Sequence, residues 1–418
     1  LANVTKEELI ASNGASLIGW TQEGTGAVTR TVEDRLRDTL SMADFLPVGY
    51  MADGSVDYTG EIQAAIDAAI ASHRALLVPA GTFGVRGSGL FIADGIRLSG
   101  QGAENSCWKN IGGPVLNLTG EHIHVSDIRF WSVAGGATIV QNGLVAQSRF
   151  ERVHLFQDDP ANPVWSNAAH EYVDNRFENC LLQHVTDSMV HAFDLVAVAG
   201  LINDNVWRGC RIQNCGTRHF FNLESTSLGP QFSNKFEDLT FEVCLGGGIR
   251  IRGANFVIDN CQNWDAGIGA IVNDFYDIDR NVAGTVCAGR IRDCGRWSGT
   301  MGAGKYDVSL PGGGGAGIEI TDCRAIGSGD SFTVNARHNA IRVSGVIPNV
   351  LTITDGDGAL TDNAAFGYFD SWGEYRVRGR KVLGERGAAV GDATAGTIVD
   401  TVNLLLARLR AHGLIENS

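Results

Sequence analysis

The chain lacks any apolar run of the roughly 18 to 20 residues that a membrane-spanning helix needs, and it has no cluster of Lys or Arg to hold phosphates. Neither membrane insertion nor nucleic-acid binding is therefore expected. The charge balance points the same way: 33 basic against 47 acidic residues give a formal net charge of −14, which repels a phosphate backbone. Cysteine is present as an odd set of nine with no Cys-x-x-Cys pair, which speaks against zinc ribbons, redox dithiols and a disulfide framework. Reduced thiols used as small buried apolar groups, and folding in a reducing cytoplasm, are expected instead. Residues Leu1 to Thr5 lack the basic and apolar regions of a secretion signal. Gly312 to Gly315 lack the Lys-Ser/Thr of a phosphate loop, and no Gly-x-Ser-x-Gly elbow occurs. Proline is scarce, at 8, whereas glycine, at 54, is nearly twice its ordinary share of about 7%. Without a collagen period, that excess signals many tight turns.

What the chain does have is a repeat. Asn175-Arg176-Phe177-Glu178-Asn179-Cys180, Asn205-Val206-Trp207-Arg208-Gly209-Cys210 and Asn234-Lys235-Phe236-Glu237-Asp238-Leu239 align as one motif. Weaker copies end at Val153, Cys261, Cys294 and Cys323. Anchors at 153, 180, 210, 239, 261, 294 and 323 suit one turn of a three-sided coil with loops of variable length. Phe177, Cys180, Leu182 and Val185 read as inward, Glu178, Leu181 and Gln183 as outward, with a turn at Asn179. The copies are aromatic, β-branched and Gly-punctuated without a helical period, which disfavours a helical solenoid. The expected fold is all-β, a right-handed, single-stranded parallel β-helix. Its ends need covering, because an open coil exposes unpaired backbone groups. An amphipathic helix from Thr59, its expected N-cap, to Ile70 would cover the first coil.

That helix, followed by Val78-Pro79-Ala80-Gly81-Thr82-Phe83 and Gly95-Ile96-Arg97-Leu98-Ser99-Gly100-Gln101-Gly102, resembles the opening of pectate-lyase-superfamily β-helices. Upstream, Ser12 to Trp20, Gly24 to Val32 and Asp34-Arg35-Leu36-Arg37 resemble the neck that precedes the β-helix of tailed-bacteriophage tailspikes. Near the other end, Val399, Val402, Leu406 and Leu409 form a short heptad seam like those of tail-fibre and tailspike C-termini. The resemblance implies a virion-attachment segment at 1–46, a glycan-binding body at 47–385 and a helical trimerisation segment at 386–418. It further implies a homotrimer on the virion tail, made in the host cytoplasm and joined to tail, baseplate or adaptor proteins through its N-terminus. Its ligand would be a bacterial surface polysaccharide (capsule, lipopolysaccharide or exopolysaccharide), bound without a cofactor.

Many tailspikes also cleave their glycan, and hydrolysis calls for two carboxylates. Rungs of a β-helix lie ~4.8 Å apart, so acids one rung apart approach the ~5–5.5 Å of retaining enzymes, and acids two rungs apart the ~6.5–9.5 Å of inverting ones. Counting from the anchors aligns Glu151, Glu178, Arg208 and Glu237 in one outward ladder, and Phe156, Gln183, Gln213, Glu242, Trp264 and Trp297 in another. Candidate catalytic pairs are Glu242 with Asp265 and Glu178 with Glu237. Trp264 would stack on a sugar ring, while Arg208, Arg211 and Gln213 would bind hydroxyls or a sugar carboxylate. Glu178, Arg208 and Glu237 would equally make a solvent-facing salt-bridge ladder. Asp158-Asp159, Glu171/Asp174 and Asp274/Asp277/Asp279 fall in expected loops that could wall a cleft. Asp355-Gly356-Asp357-Gly358 and the Asp274 group match no complete calcium loop, and His122 with His124, expected to share one strand face, lacks a third zinc ligand, so no metal is expected. Hydrolysis is favoured over elimination, and a non-enzymatic receptor-binding or structural tail protein is the alternative.

Overall fold

The computed structural model describes residues 5–383, apart from 12–13, 22, 24, 37, 169, 198–199, 226–232, 254, 265–269, 280–286, 299, 304, 311–314, 326–332, 337–339, 345–349, 355–373 and 378–379. The heptad seam and the rest of 384–418 lie outside these residues, as do Asp265 and the Asp355 to Gly358 turn. Three long sheets of twelve, eleven and fifteen strands form the body, here named faces 1, 2 and 3. One coil passes through Arg176–Glu178 on face 1, Leu181–Gln183 on face 2 and Phe193–Ala197 on face 3. The next coil repeats the path as Val206–Arg208, Arg211–Cys215 and Phe221–Ser225, paired parallel and in register with the first. The chain is thus a parallel β-helix.

The recurrent motif is explained by its corner. Between faces 1 and 2 a single residue turns the chain in the left-handed region: Asp127, Arg152, Asn179, Gly209, Asp238, Asn260, Asp293 and Asp322 have φ between 49° and 61°. Gly, Asn and Asp enter this region at least cost, so they precede the anchor in nearly every coil. The anchor then points inward. Cys180, Cys210, Cys261, Cys294 and Cys323 are at most 2% exposed. Cys180 donates its thiol to the Phe150 carbonyl at 3.3 Å and Cys210 to that of Phe177 at 3.5 Å, each reaching back one coil.

The leading Asn of the motif fills the corner between faces 3 and 1. Asn175 donates from Nδ2 to the Val145 carbonyl, Asn205 to that of Tyr172 and Asn234 to that of Ile202, at 2.7–2.9 Å. Their Oδ1 atoms accept the backbone N–H of Ser148, Asn175 and Asn205 in turn. This buried column therefore satisfies backbone groups that the bend takes out of the ladder. Inside face 1, Phe150, Phe177, Trp207 and Phe236 stack ring on ring, with centroids 4.6–6.1 Å apart and planes within 12°. Val185, expected inward, is only half-buried, because the chain leaves face 2 after Gln183 and His184 takes the buried place.

The amphipathic helix spans Thr59–Ser72 and buries Ile62, Ala65, Ile66 and Ala69. Its N-cap is Tyr58, not Thr59, and has no side-chain cap bond. Asp57 instead accepts from the N–H and hydroxyl of Thr59, whose hydroxyl oxygen accepts the Arg86 N–H. Gln63 fastens the helix to the first strand of face 3 by accepting the Phe91 N–H and donating to the Phe91 carbonyl. Earlier residues form Lys6–Ile10, Val32–Leu36 and an antiparallel pair of Gly19–Trp20 with Arg30–Thr31. Thr39–Ser41 already pairs into face 1.

Candidate functional site

Face 1 carries the first expected ladder in the expected register: Glu151, Glu178, Arg208, Glu237, Asp259 and Arg292 succeed one another. Glu178 and Glu237 are two rungs apart with Arg208 between them. Arg208 donates to Glu237 at 2.5 and 2.8 Å, Arg149 to Glu178 at 2.5 Å, and Arg292 to Asp259 at 2.5 and 3.1 Å. Each acid of this ladder below Glu151 thus bonds to an arginine, Arg149 being shared between Glu178 and Glu151, and each arginine is about half exposed. An open depression of about 550 Å³ over Arg208, Glu237, Asp259 and Arg292 is lined by these pairs. This is a solvent-facing ladder of ion pairs, with Glu178 and Glu237 each bonded to an arginine.

Face 2 has a different chemistry. Its outward column runs Trp131, Phe156, Gln183, Gln213, Glu242 and Trp264 in register. A bulge after Asn263 then makes Ser298, rather than Trp297, the register partner of Trp264. Trp297 nevertheless stacks on Trp264, with centroids 5.1 Å apart and planes at 4°. Its indole N–H bonds to Gln262 Oε1, and the Arg324 guanidinium lies 5.3 Å over its ring. Trp264 is therefore propped on one face by Trp297, sits one rung from Glu242 and remains 46% exposed. Such a ring is held before any ligand arrives.

Glu242 is the centre of this column. Arg211 grips it with two bonds, 2.8 Å to Oε1 and 2.7 Å to Oε2, and the Gln213 amide donates to Oε2 at 2.9 Å. The arginine bonds hold its carboxyl below the usual carboxylate range, and the amide adds to this against a smaller burial penalty. An ionised Glu242 suits a base, a nucleophile or a hydrogen-bond acceptor, not a general acid. The next residue, Val243, has φ of 59°. A β-branched side chain is rarely held there, and such strain collects at functional positions. The structure thus brings Glu242, Arg211, Gln213 and Trp264 together, and keeps Arg208, Glu178 and Glu237 on another face.

Face 3 holds a network that reading outward from the anchors missed. Asp194, Asn222, Arg250 and Asp277 share a column. Asn222 donates to Asp194 at 2.7 Å, Arg250 to Asn222 at 2.8 Å, and Arg252 to Asp277 at 2.5 Å. Asp277 and Asp279 lie on the strand Tyr276–Asp279, not in a loop as expected. Asp274 does lie outside the strands; burial raises its pKa, and it accepts the Tyr306 N–H. Asp159 is occupied within its own loop, accepting from Gly135, Ala161 and Asn162. Asp174 and His122 are left-handed corner residues, so His122 does not share a strand face with His124. Among the described residues, no three His, Cys, Asp or Glu are grouped to hold a metal ion.

No protein-family model and no curated protein sequence matches the chain. Solved structures do. ORF18 of Geobacillus virus E2 matches with a TM-score of 0.54 at 15% identity, covering 80% of this chain and 68% of that one. A double mutant of the tailspike of E. coli bacteriophage HK620 matches with a TM-score of 0.51 at 11% identity, covering 84% and 70%. The fold is a tailspike-like parallel β-helix. At these identities the likeness is one of fold, and the tailspike-like body derives its surface chemistry from its own residues.

Proposed function

We propose that this chain is a phage tailspike that binds a host cell-surface polysaccharide along face 2 and hydrolyses it there. The observation that carries the reading is the face 2 column itself: amides at Gln183 and Gln213, an ionised Glu242 and a propped, exposed Trp264 on consecutive rungs. Amides and a carboxylate bind sugar hydroxyls, and an aromatic face takes the apolar side of a pyranose. In this reading Glu242 acts as the ionised carboxylate of the pair and Asp265, next to Trp264, as the acid. The chain works as a homotrimer in the virion tail, residues 1–46 joining it to tail or adaptor proteins and 386–418 locking the trimer.

Incubation of the purified protein with host capsule or lipopolysaccharide is expected to release reducing ends. Glu242→Gln and Asp265→Asn should each lower that rate at least 100-fold, the scale of a lost acid or base, while the circular-dichroism spectrum of the folded protein is retained. Full activity in both would remove the pair. One observation favours the non-enzymatic alternative, the two-bond clamp of Arg211 on Glu242, which leaves the carboxylate fewer open lone pairs. Intact polymer with retained binding, lost in Trp264→Ala, would select it.

A further inference from the structure

We infer that the Arg211–Glu242 pair is a charge filter that makes face 2 select uncharged sugar units and reject uronates and other acidic sugars. The inference rests on the glycan-binding reading of this face, and it adds the class of sugar.

The described cations on the strands of face 2 each have a partner, and Arg296 is buried against Asp307 at 2.8 Å. Arg129 donates to Glu104 at 2.5 Å and to His154 Nδ1 at 2.9 Å. The Lys109 ammonium lies 4.0 Å over the Trp131 ring, and Arg324 lies over Trp297. Arg211 is the cation beside the amide stretch, and its side chain is 58% exposed. It is accessible, yet both of its described bonds end on Glu242. The rungs around it offer Gln183, Gln213, Thr240 and Gln262, all neutral.

An acidic sugar seeking Arg211 would have to displace Glu242, leaving two carboxylates facing each other within one rung spacing. That juxtaposition is a repulsive element aimed at the wrong ligand. A neutral sugar meets amides, a hydroxyl and the outer oxygens of a compensated pair, and disturbs none of them. The net charge of −14 adds a long-range barrier against polyanions.

The filter is tested with polygalacturonate as the acidic probe, by affinity electrophoresis or calorimetry on the intact protein at about 50 mM and about 500 mM NaCl, where screening differs severalfold. The wild type should not bind it. Glu242→Gln, which releases the Arg211 guanidinium from its carboxylate partner, should gain at least about tenfold in affinity at low salt and lose that gain at high salt. The gain should vanish in the Arg211→Gln/Glu242→Gln double variant. Salt-sensitive binding of polygalacturonate by the wild type, or no gain in Glu242→Gln, would overturn the filter. Neither result bears on whether host glycan is bound, which the Trp264→Ala comparison reads separately.

Discussion

Val243 is the only β-branched residue, among those described, with a left-handed backbone, and it adjoins Glu242. One coil earlier Asn214, φ 61°, holds the corresponding place between Gln213 and Cys215, so the bend itself is repeated and only the residue is unusual. Left-handed backbone costs an ordinary L-residue roughly 1–2 kcal/mol, and Asn much less. Val243→Asn is therefore expected to raise stability by about 1 kcal/mol, read as a higher denaturant midpoint at unchanged slope. If the strain serves to aim Glu242, the same substitution should weaken glycan binding or cleavage while it stabilises the fold. A variant that is both more stable and fully active would show the strain to be incidental.

At the scale of the element, faces 1 and 2 were readable from sequence and face 3 was not. The corner between the first two is a constant two residues, the left-handed one and the anchor, so counting from Cys180 or Cys210 reaches Glu178, Gln183, Arg208 and Gln213 without error. Face 3 follows loops of unequal length, from Gln183 to Phe193 in one coil and from Cys215 to Phe221 in the next, and counting fails there. Trp297 slipped by one place for a related reason: a bulge costs no visible sequence signature. The arginine on each carboxylate was also out of reach, since rotamers decide whether Arg211 meets Glu242 or water. The cysteine column, by contrast, was legible as buried thiol. Eight of the nine cysteines are buried thiols outside any disulfide, the side chain of Cys287 lying outside the described residues. A thiol reagent should label at most one cysteine per native chain and all nine after denaturation. Rapid labelling of several native thiols would contradict the packing of the corner.

For the whole molecule, stability should depend on pH through its buried histidines. Burial lowers the pKa of His154 and His219 to about 4, and those of His184 and His191 downward as well. An unfolded histidine titrates near 6.5, so between about pH 6.5 and 4 the unfolded chain binds protons that the folded chain refuses. Stability is fully present above the unfolded value and falls as pH drops through that window. Glu242 acts in a lower window: its depressed pKa contributes stability above the usual glutamate range and loses it as pH falls through the folded value. Unfolding midpoints should thus fall between pH 7 and pH 5, before the carboxylates titrate, and His219→Gln should flatten that slope. A midpoint constant over this range would mean that the histidines take up protons in the fold as readily as in the unfolded chain.

The coils also set how the body bears load. In all three faces, apart from the antiparallel pair Glu374–Val377 with Arg380–Leu383, parallel strands wind around the axis while their ladder hydrogen bonds, the asparagine column and the ring stack from Phe150 to Phe236 run along it. A push on one end therefore travels as compression down columns of close-packed contacts, rung upon rung. The covalent chain acts as hoops that keep those columns from splaying, so the shaft is stiffest in the direction of its own length.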